Sequence, residues 1–110
     1  MKNEILKIVM EVTGVTREQI IKPNRKRVYS DARKIAMALC RDYTPLSYPK
    51  LEKFFKRHHT TIMTACEYAK DLRITNEEFA SKYLMAEWDV QALLGLTKIE
   101  RLPSPLKKAA

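Results

Sequence analysis

SYPKLEKFFKRHHTTIMTACEYAKDLR, residues 47–73, decides how this chain folds. Ser47 suits an N-cap, and Pro49 falls in the first helical turn, where backbone amides have no intrahelical acceptor to lose. Leu51, Phe54 and Phe55 then give a short helix its apolar face. Lys56-Arg57 allows only a tight connection. From about His58 or His59 to Arg73 runs a longer helix, with Ile62, Ala65, Cys66, Ala69 and Leu72 at helical spacing on one side. A short helix, a tight turn and a longer helix have the spacing of a helix-turn-helix.

Upstream, Ser30 is placed to cap a helix that runs to about Tyr43. Its periodicity turns Ala32, Ile35, Ala36, Leu39 and Cys40 inward and Arg33, Lys34 and Arg41 outward; Thr44-Pro45-Leu46 breaks it. Lys22-Pro23-Asn24-Arg25-Lys26-Arg27 has no apolar period and reads as a basic loop. Before it, Asn3 caps a first helix over about residues 3–13, on Ile5, Ile8, Val9 and Val12, which Gly14 ends. Thr16-Arg17-Glu18-Gln19 is a capping box that opens a short second helix, stopped by Pro23.

Downstream, Thr75-Asn76-Glu77-Glu78 reads as a second capping box. It opens a last helix, 76–94, with a stripe of Phe79, Tyr83, Ala86, Val90 and Leu93, ended by Gly95. Leu84 and Trp88 lie off that stripe, so a second face is expected to pack on the domain or on a second copy. The reading is all-α: a compact bundle of about six helices with a helix-turn-helix and a basic loop before the third helix. It assigns residues 1–95 to one domain and 96–110, with Pro103, Pro105, Lys107 and Lys108, to a flexible basic tail.

The net charge of +8 is concentrated. Residues 1–21 carry three basic and three acidic side chains; residues 22–73 carry thirteen against five; residues 74–100 carry two against five. A cationic middle attracts polyanions, although a merely solvated face has the same composition. No run approaches the roughly 18 to 20 apolar residues of a membrane span, and Met1-Lys2-Asn3-Glu4 does not open a signal peptide. A cytoplasmic protein is expected. Cys40 and Cys66 fall at helical apolar positions and read as buried thiols. No metal is expected at His58, His59 and Cys66, because neighbouring helical side chains diverge by about 100°. No catalytic residue or cofactor is expected either, since neither histidine has a placed carboxylate or nucleophile partner.

A recognition helix needs short polar side chains in its first turn, where it approaches base edges and phosphates. His59, Thr60 and Thr61 meet that need, and the free helix N-terminus favours phosphate. The same residues also suit a plain helix cap. The adjacent basic loop favours the first reading.

Two longer stretches carry a resemblance. Lys26-Arg27-Val28-Tyr29-Ser30-Asp31-Ala32-Arg33-Lys34-Ile35-Ala36-Met37-Ala38-Leu39 and Arg57-His58-His59-Thr60-Thr61-Ile62 are similar to the C-terminal DNA-binding domain, domain IV, of the bacterial replication initiator DnaA. That family has a basic loop, an arginine-rich entry to a helix continuing "IAM-L", a "T-xx-S-x-P" turn and a recognition helix opened by "GGRDHTTV-HA". The resemblance covers about residues 4–73 and implies a Trp-repressor-like fold that binds double-stranded DNA in replication initiation or its regulation. It implies that Arg25 enters the minor groove, with Lys26 and Arg27 as substitutes. Arg33, Lys34, Arg41, Tyr48, Pro49 and Thr61 match phosphate-holding positions. His59 and Thr60 match base-reading positions in the major groove, where His58 joins them.

Two departures change the expected target. Only Lys56 stands for the family's double glycine, so the turn is one residue shorter and lacks glycine's freedom. His58 stands where the family has an aspartate that caps the helix and reads a cytosine amino group, and it would favour a guanine edge or a phosphate. A preference different from the standard initiator box is therefore expected. The 110 residues hold no GxxxxGK[ST] loop and leave no room for an ATPase domain. A stand-alone initiator-like module without an ATPase is the expectation, bacterial or encoded by a phage or mobile element, and associated with the nucleoid. The alternatives are a transcriptional regulator, or an adaptor that binds a protein partner, or a second copy, through the helix at 76–94.

Overall fold

The computed structural model describes residues 2–95, which form six helices: α1 Lys2–Thr13, α2 Arg17–Ile21, α3 Arg27–Tyr43, α4 Tyr48–Phe55, α5 His59–Thr75 and α6 Glu77–Leu93. The tail expected at 96–110 lies outside the described residues. α3 is the axis of the bundle and packs against each of the other five helices. Its composition permits that: Ala32, Ile35, Ala36, Met37, Ala38, Leu39 and Cys40 are all buried. The alanines let neighbouring backbones approach while Ile35, Met37 and Leu39 fill the space between them. Ile5, Leu6 and Val9 of α1, Leu51 and Phe55 of α4, Ile62 of α5 and Phe79 and Tyr83 of α6 complete the core. Burying each of the larger side chains stabilises the fold by roughly 1.5–3 kcal/mol.

The helix boundaries show which local signals prevailed. The first capping box is present, with the Gln19 amide donating to Thr16 Oγ1 at 3.1 Å and the Thr16 amide to Gln19 Oε1 at 3.0 Å. α1 starts a residue before Asn3, which therefore lies in its first turn. α3 starts at Arg27, a turn before the expected Ser30, because Asn24 Oδ1 accepts the Lys26 amide at 2.9 Å and folds the chain into the helix. Arg27 is consequently helical, and Ser30 sits inside the helix. Ser47 occupies the N-cap of α4 in extended conformation without a side-chain cap bond.

The junction of α5 and α6 corrects the second capping box. Thr75 is the last residue of α5, and its hydroxyl donates back to the Asp71 carbonyl at 2.9 Å. Asn76 serves both helices: its amide donates to Leu72 O, and its Oδ1 accepts the Phe79 amide at 2.9 Å. Along α6, Phe79, Tyr83, Ala86 and Val90 are buried as expected, whereas Leu93 is 48% exposed. Gln91 is buried instead and donates to the Tyr43 hydroxyl at 2.9 Å, while that hydroxyl donates to Glu87 at 2.7 Å. This clamp ties α6 to the end of α3. Cys66 is only half-buried, unlike Cys40, whose thiol burial pushes up to about 12.

Between α4 and α5, Lys56 takes a left-handed conformation, φ 55° and ψ 46°, and its amide closes α4 on Glu52 O. It is the only non-glycine residue with positive φ among those described. A side chain there costs about 1–2 kcal/mol that glycine avoids, less the greater freedom glycine has in the unfolded chain. Lys56→Gly should therefore raise unfolding stability by about 1 kcal/mol, read as a higher denaturant midpoint at unchanged slope. A lower midpoint would show that the lysine side chain itself holds the turn.

Candidate nucleic-acid interface

The first turn of α5 projects at one end of the helix-turn-helix. His58 precedes the helix as its N-cap, with extended backbone, and its Nδ1 accepts the Thr60 amide at 3.3 Å. His58, Thr60 and Thr61 are exposed and His59 is half-buried. Because successive helical side chains turn by about 100°, His59 and Thr61 face nearly opposite ways and Thr60 points out between them. Each flank carries cations.

On the His59 side stands α4. Glu52 of α4 accepts the His59 amide at 2.6 Å and faces His59 Nδ1 at 2.8 Å. These two bonds hold the Glu52 carboxyl below the usual carboxylate range. The Tyr48 ring lies 6.1 Å from the His59 ring, and the Arg41 guanidinium from the end of α3 stacks 4.3 Å over Tyr48. Exposed Pro49 follows Tyr48 in the first turn of α4.

On the Thr61 side runs a groove between α3 and α5. Ser30, Arg33, Lys34, Arg57, Thr61 and Tyr68 line its inner part, a space of about 170 Å³. Arg25 and Arg27 continue it outward. Lys34 donates to Ser30 Oγ at 2.6 Å with its ammonium 6.0 Å over the Tyr68 ring. Desolvation lowers the Lys34 pKa, Asp31 opposes that, and Arg33 and Arg27 add to it. Arg27 is 3.7 Å from Asp31, and Lys26 lies over Tyr29. Arg25 is exposed in the loop between α2 and α3.

Two arginines are committed inward. Arg33, expected to project outward, donates from Nε to Ile20 O at 2.7 Å and from a terminal nitrogen to Lys22 O at 3.0 Å. Arg57, in the turn before α5, donates to Ile21 O at 2.6 Å. Both answer the unpaired carbonyls at the C-terminus of α2, where a positive charge is favoured. Their charges sit close enough that burial first, and Arg57 second, lower the Arg33 pKa. A groove that gathers cations at some electrostatic cost gains from an incoming anion.

Sequence reasoning missed Glu52, Arg57 and Tyr68 as parts of this site. That the Glu52 carboxylate reaches the next helix depends on the angle of the Lys56 turn. Glu52, His58 and His59 also place three ligand-type atoms within 4.8 Å of one another. The expected divergence of the two histidines fails, because His58 lies off the helix and the ring centroids are 4.2 Å apart. Cation binding there would have to displace the Thr60 amide from His58 and the His59 proton shared with Glu52. Arg57→Ala should cost about 1.5–3 kcal/mol, the range for a hydrogen bond that involves a charged group, and Arg57→Lys should not restore it fully. Chemical denaturation checks both, and an unchanged midpoint in the alanine variant would remove the arginine clamp from the account.

Comparison with known proteins shows the family. A family model described as the bacterial dnaA protein helix-turn-helix matches residues 2–68. The chain is 40% identical over 76 residues to the chromosomal replication initiator protein DnaA of Synechococcus sp. (strain JA-2-3B'a(2-13)), covering 68% of this chain and 16% of that protein. It is 40% identical over 77 residues to the same initiator of Picosynechococcus sp., covering 69% and 17%, and 43% identical over 61 residues to that of Mycobacteroides abscessus, covering 56% and 12%. The chain thus spans about a sixth of the length of the first two relatives. With six helices, a helix-turn-helix at α4–α5 and a family match that covers more than half of its residues, the chain belongs to the bacterial DnaA helix-turn-helix family.

Proposed function

We propose that the chain is a sequence-specific double-stranded DNA-binding module that acts in replication initiation or its regulation, with the first turn of α5 in the major groove. One observation carries this reading: that turn presents His58, His59 and Thr60 between two cationic flanks, Arg41 with Tyr48 on one side and Lys34 with Arg25 on the other. Such a layout suits a groove bordered by two phosphate strands, with base contacts in the centre and backbone contacts at the rims. Lys34, Arg41, Tyr48, Pro49 and Thr61 then hold phosphates. Arg25 reaches the minor groove, with Lys26 and Arg27 beside it. Arg33 touches phosphate only with what its carbonyl bonds leave free, so its main effect is to shape the groove.

The module reads as non-enzymatic and works in the cytoplasm on chromosomal or phage DNA. No helix among the described residues is long and apolar enough to cross a membrane. A second reading, docking of another protein or a second copy on α6, has its own observation in Met85, Trp88 and Leu93, which are exposed along that helix.

With half a dozen cations set against the duplex, Arg25, Lys26, Arg27, Arg33, Lys34 and Arg41, affinity should fall about 10³-fold between about 50 and 200 mM salt. Arg25→Glu and Lys34→Glu should each abolish most of that affinity while leaving the fold intact, and Trp88→Glu should leave it unchanged. Fluorescence anisotropy on a labelled duplex measures all of these. A flat salt response, or affinity that survives both charge reversals, would overturn the reading, and self-association in sedimentation that Trp88→Glu removes would favour the second one.

A further inference from the structure

We infer that the two histidines at the start of α5 are fixed in opposite neutral tautomers, so that His58 offers a hydrogen and His59 a lone pair to adjacent base edges. The tautomers follow from the free chain, and their use as base readers rests on the DNA-binding reading above.

The assignment comes from partners that can act in only one way. A backbone amide only donates, and the Thr60 amide points at His58 Nδ1 at 3.3 Å. That nitrogen therefore keeps its lone pair, and the single proton of the neutral ring is on Nε2. The Thr60 hydroxyl lies 2.8 Å from the same nitrogen and donates to it. A carboxylate only accepts, and Glu52 Oε2 lies 2.8 Å from His59 Nδ1. In the neutral ring the proton of His59 is therefore on Nδ1, and Nε2 carries the lone pair. Glu52 is kept ionised for this role by the His59 ring and the His59 amide together.

The consequence is a polarity pattern. In the major groove a donor matches guanine O6 or N7, adenine N7 or thymine O4, whereas an acceptor matches the amino group of cytosine or adenine. The rings stand 4.2 Å apart, close to the roughly 3.4 Å rise between stacked bases, so they address neighbouring positions. Where His58 supplies a donor, the acceptor function passes to His59, and Glu52 is its positioning residue. Glu52 touches no base, yet it sets which base is read.

The chain contains two histidines, so long-range proton–nitrogen correlation spectra of the nitrogen-15-labelled full chain, at mildly alkaline pH, show both rings without ambiguity. One ring should give the Nδ1-protonated pattern and the other the Nε2-protonated pattern, and His58→Ala should remove the latter. Two Nε2-protonated rings, or a doubly protonated His59, would overturn the inference. Glu52→Gln, whose amide can donate as well as accept, should convert His59 to a mixture while His58 keeps its pattern. On duplexes with single base changes, the wild type should lose about tenfold or more in affinity when the amino-bearing base opposite His59 is replaced, and Glu52→Gln should lose most of that discrimination. Equal discrimination in the two proteins would overturn the role given to Glu52. Opposite tautomers in a chain with no duplex affinity would leave the ring assignment standing and overturn the DNA-binding reading instead. If Glu52→Gln does not fold, the wild-type spectrum still decides the tautomers.

Discussion

Arg33 and Arg57 hold the C-terminus of α2, and most of the site depends on that grip. Ile20, Ile21 and Lys22 present carbonyls that the five-residue helix cannot satisfy itself, and the two guanidiniums satisfy them from α3 and from the turn before α5. One set of bonds thereby fixes three elements that are distant in sequence. It sets where the basic loop leaves α2, how α3 begins, and the height at which α5 emerges. It also brings two positive charges together at the inner end of the α3–α5 groove.

The turn between α4 and α5 shows the same economy at a local cost. Without a glycine, the chain places Lys56 in the left-handed region and closes α4 on Glu52 O. That geometry swings the Glu52 carboxylate onto the amide and ring of His59, so that a side chain of α4 caps α5. His58 caps it a second time through Nδ1. Two groups thus share the capping of α5 in this chain. Glu52 supplies the negative charge at the helix N-terminus, where the helix dipole favours it, and His58 supplies the exposed polar edge.

The fold was legible because the apolar spacing of α3 and α4 is strong and the stops at Gly14, Pro23 and Thr44-Pro45-Leu46 are unambiguous, whereas α5 and α6 also expose apolar side chains such as Tyr68, Ile74, Met85 and Trp88. The boundaries that moved did so where two capping residues competed nearby. Asn24 captured the start of α3 ahead of Ser30, and Asn76 captured the start of α6 ahead of Thr75. The residues of the candidate site were legible from charge and from the resemblance around His59-Thr60-Thr61. Their division of labour was not. That Arg33 turns inward, that Arg57 belongs to the clamp and that Glu52 reaches His59 all depend on contacts between elements, which periodicity along one helix does not encode.

Repeated selection from a pool of random duplex DNA, followed by sequencing of what the chain retains, tests the central claim most directly. The account predicts one enriched motif, distinct from the standard initiator box at the positions that face His58 and His59, and its disappearance when Thr60 and His59 are both replaced by alanine. A retained pool with no enriched motif, or the same motif with and without those two side chains, would contradict it.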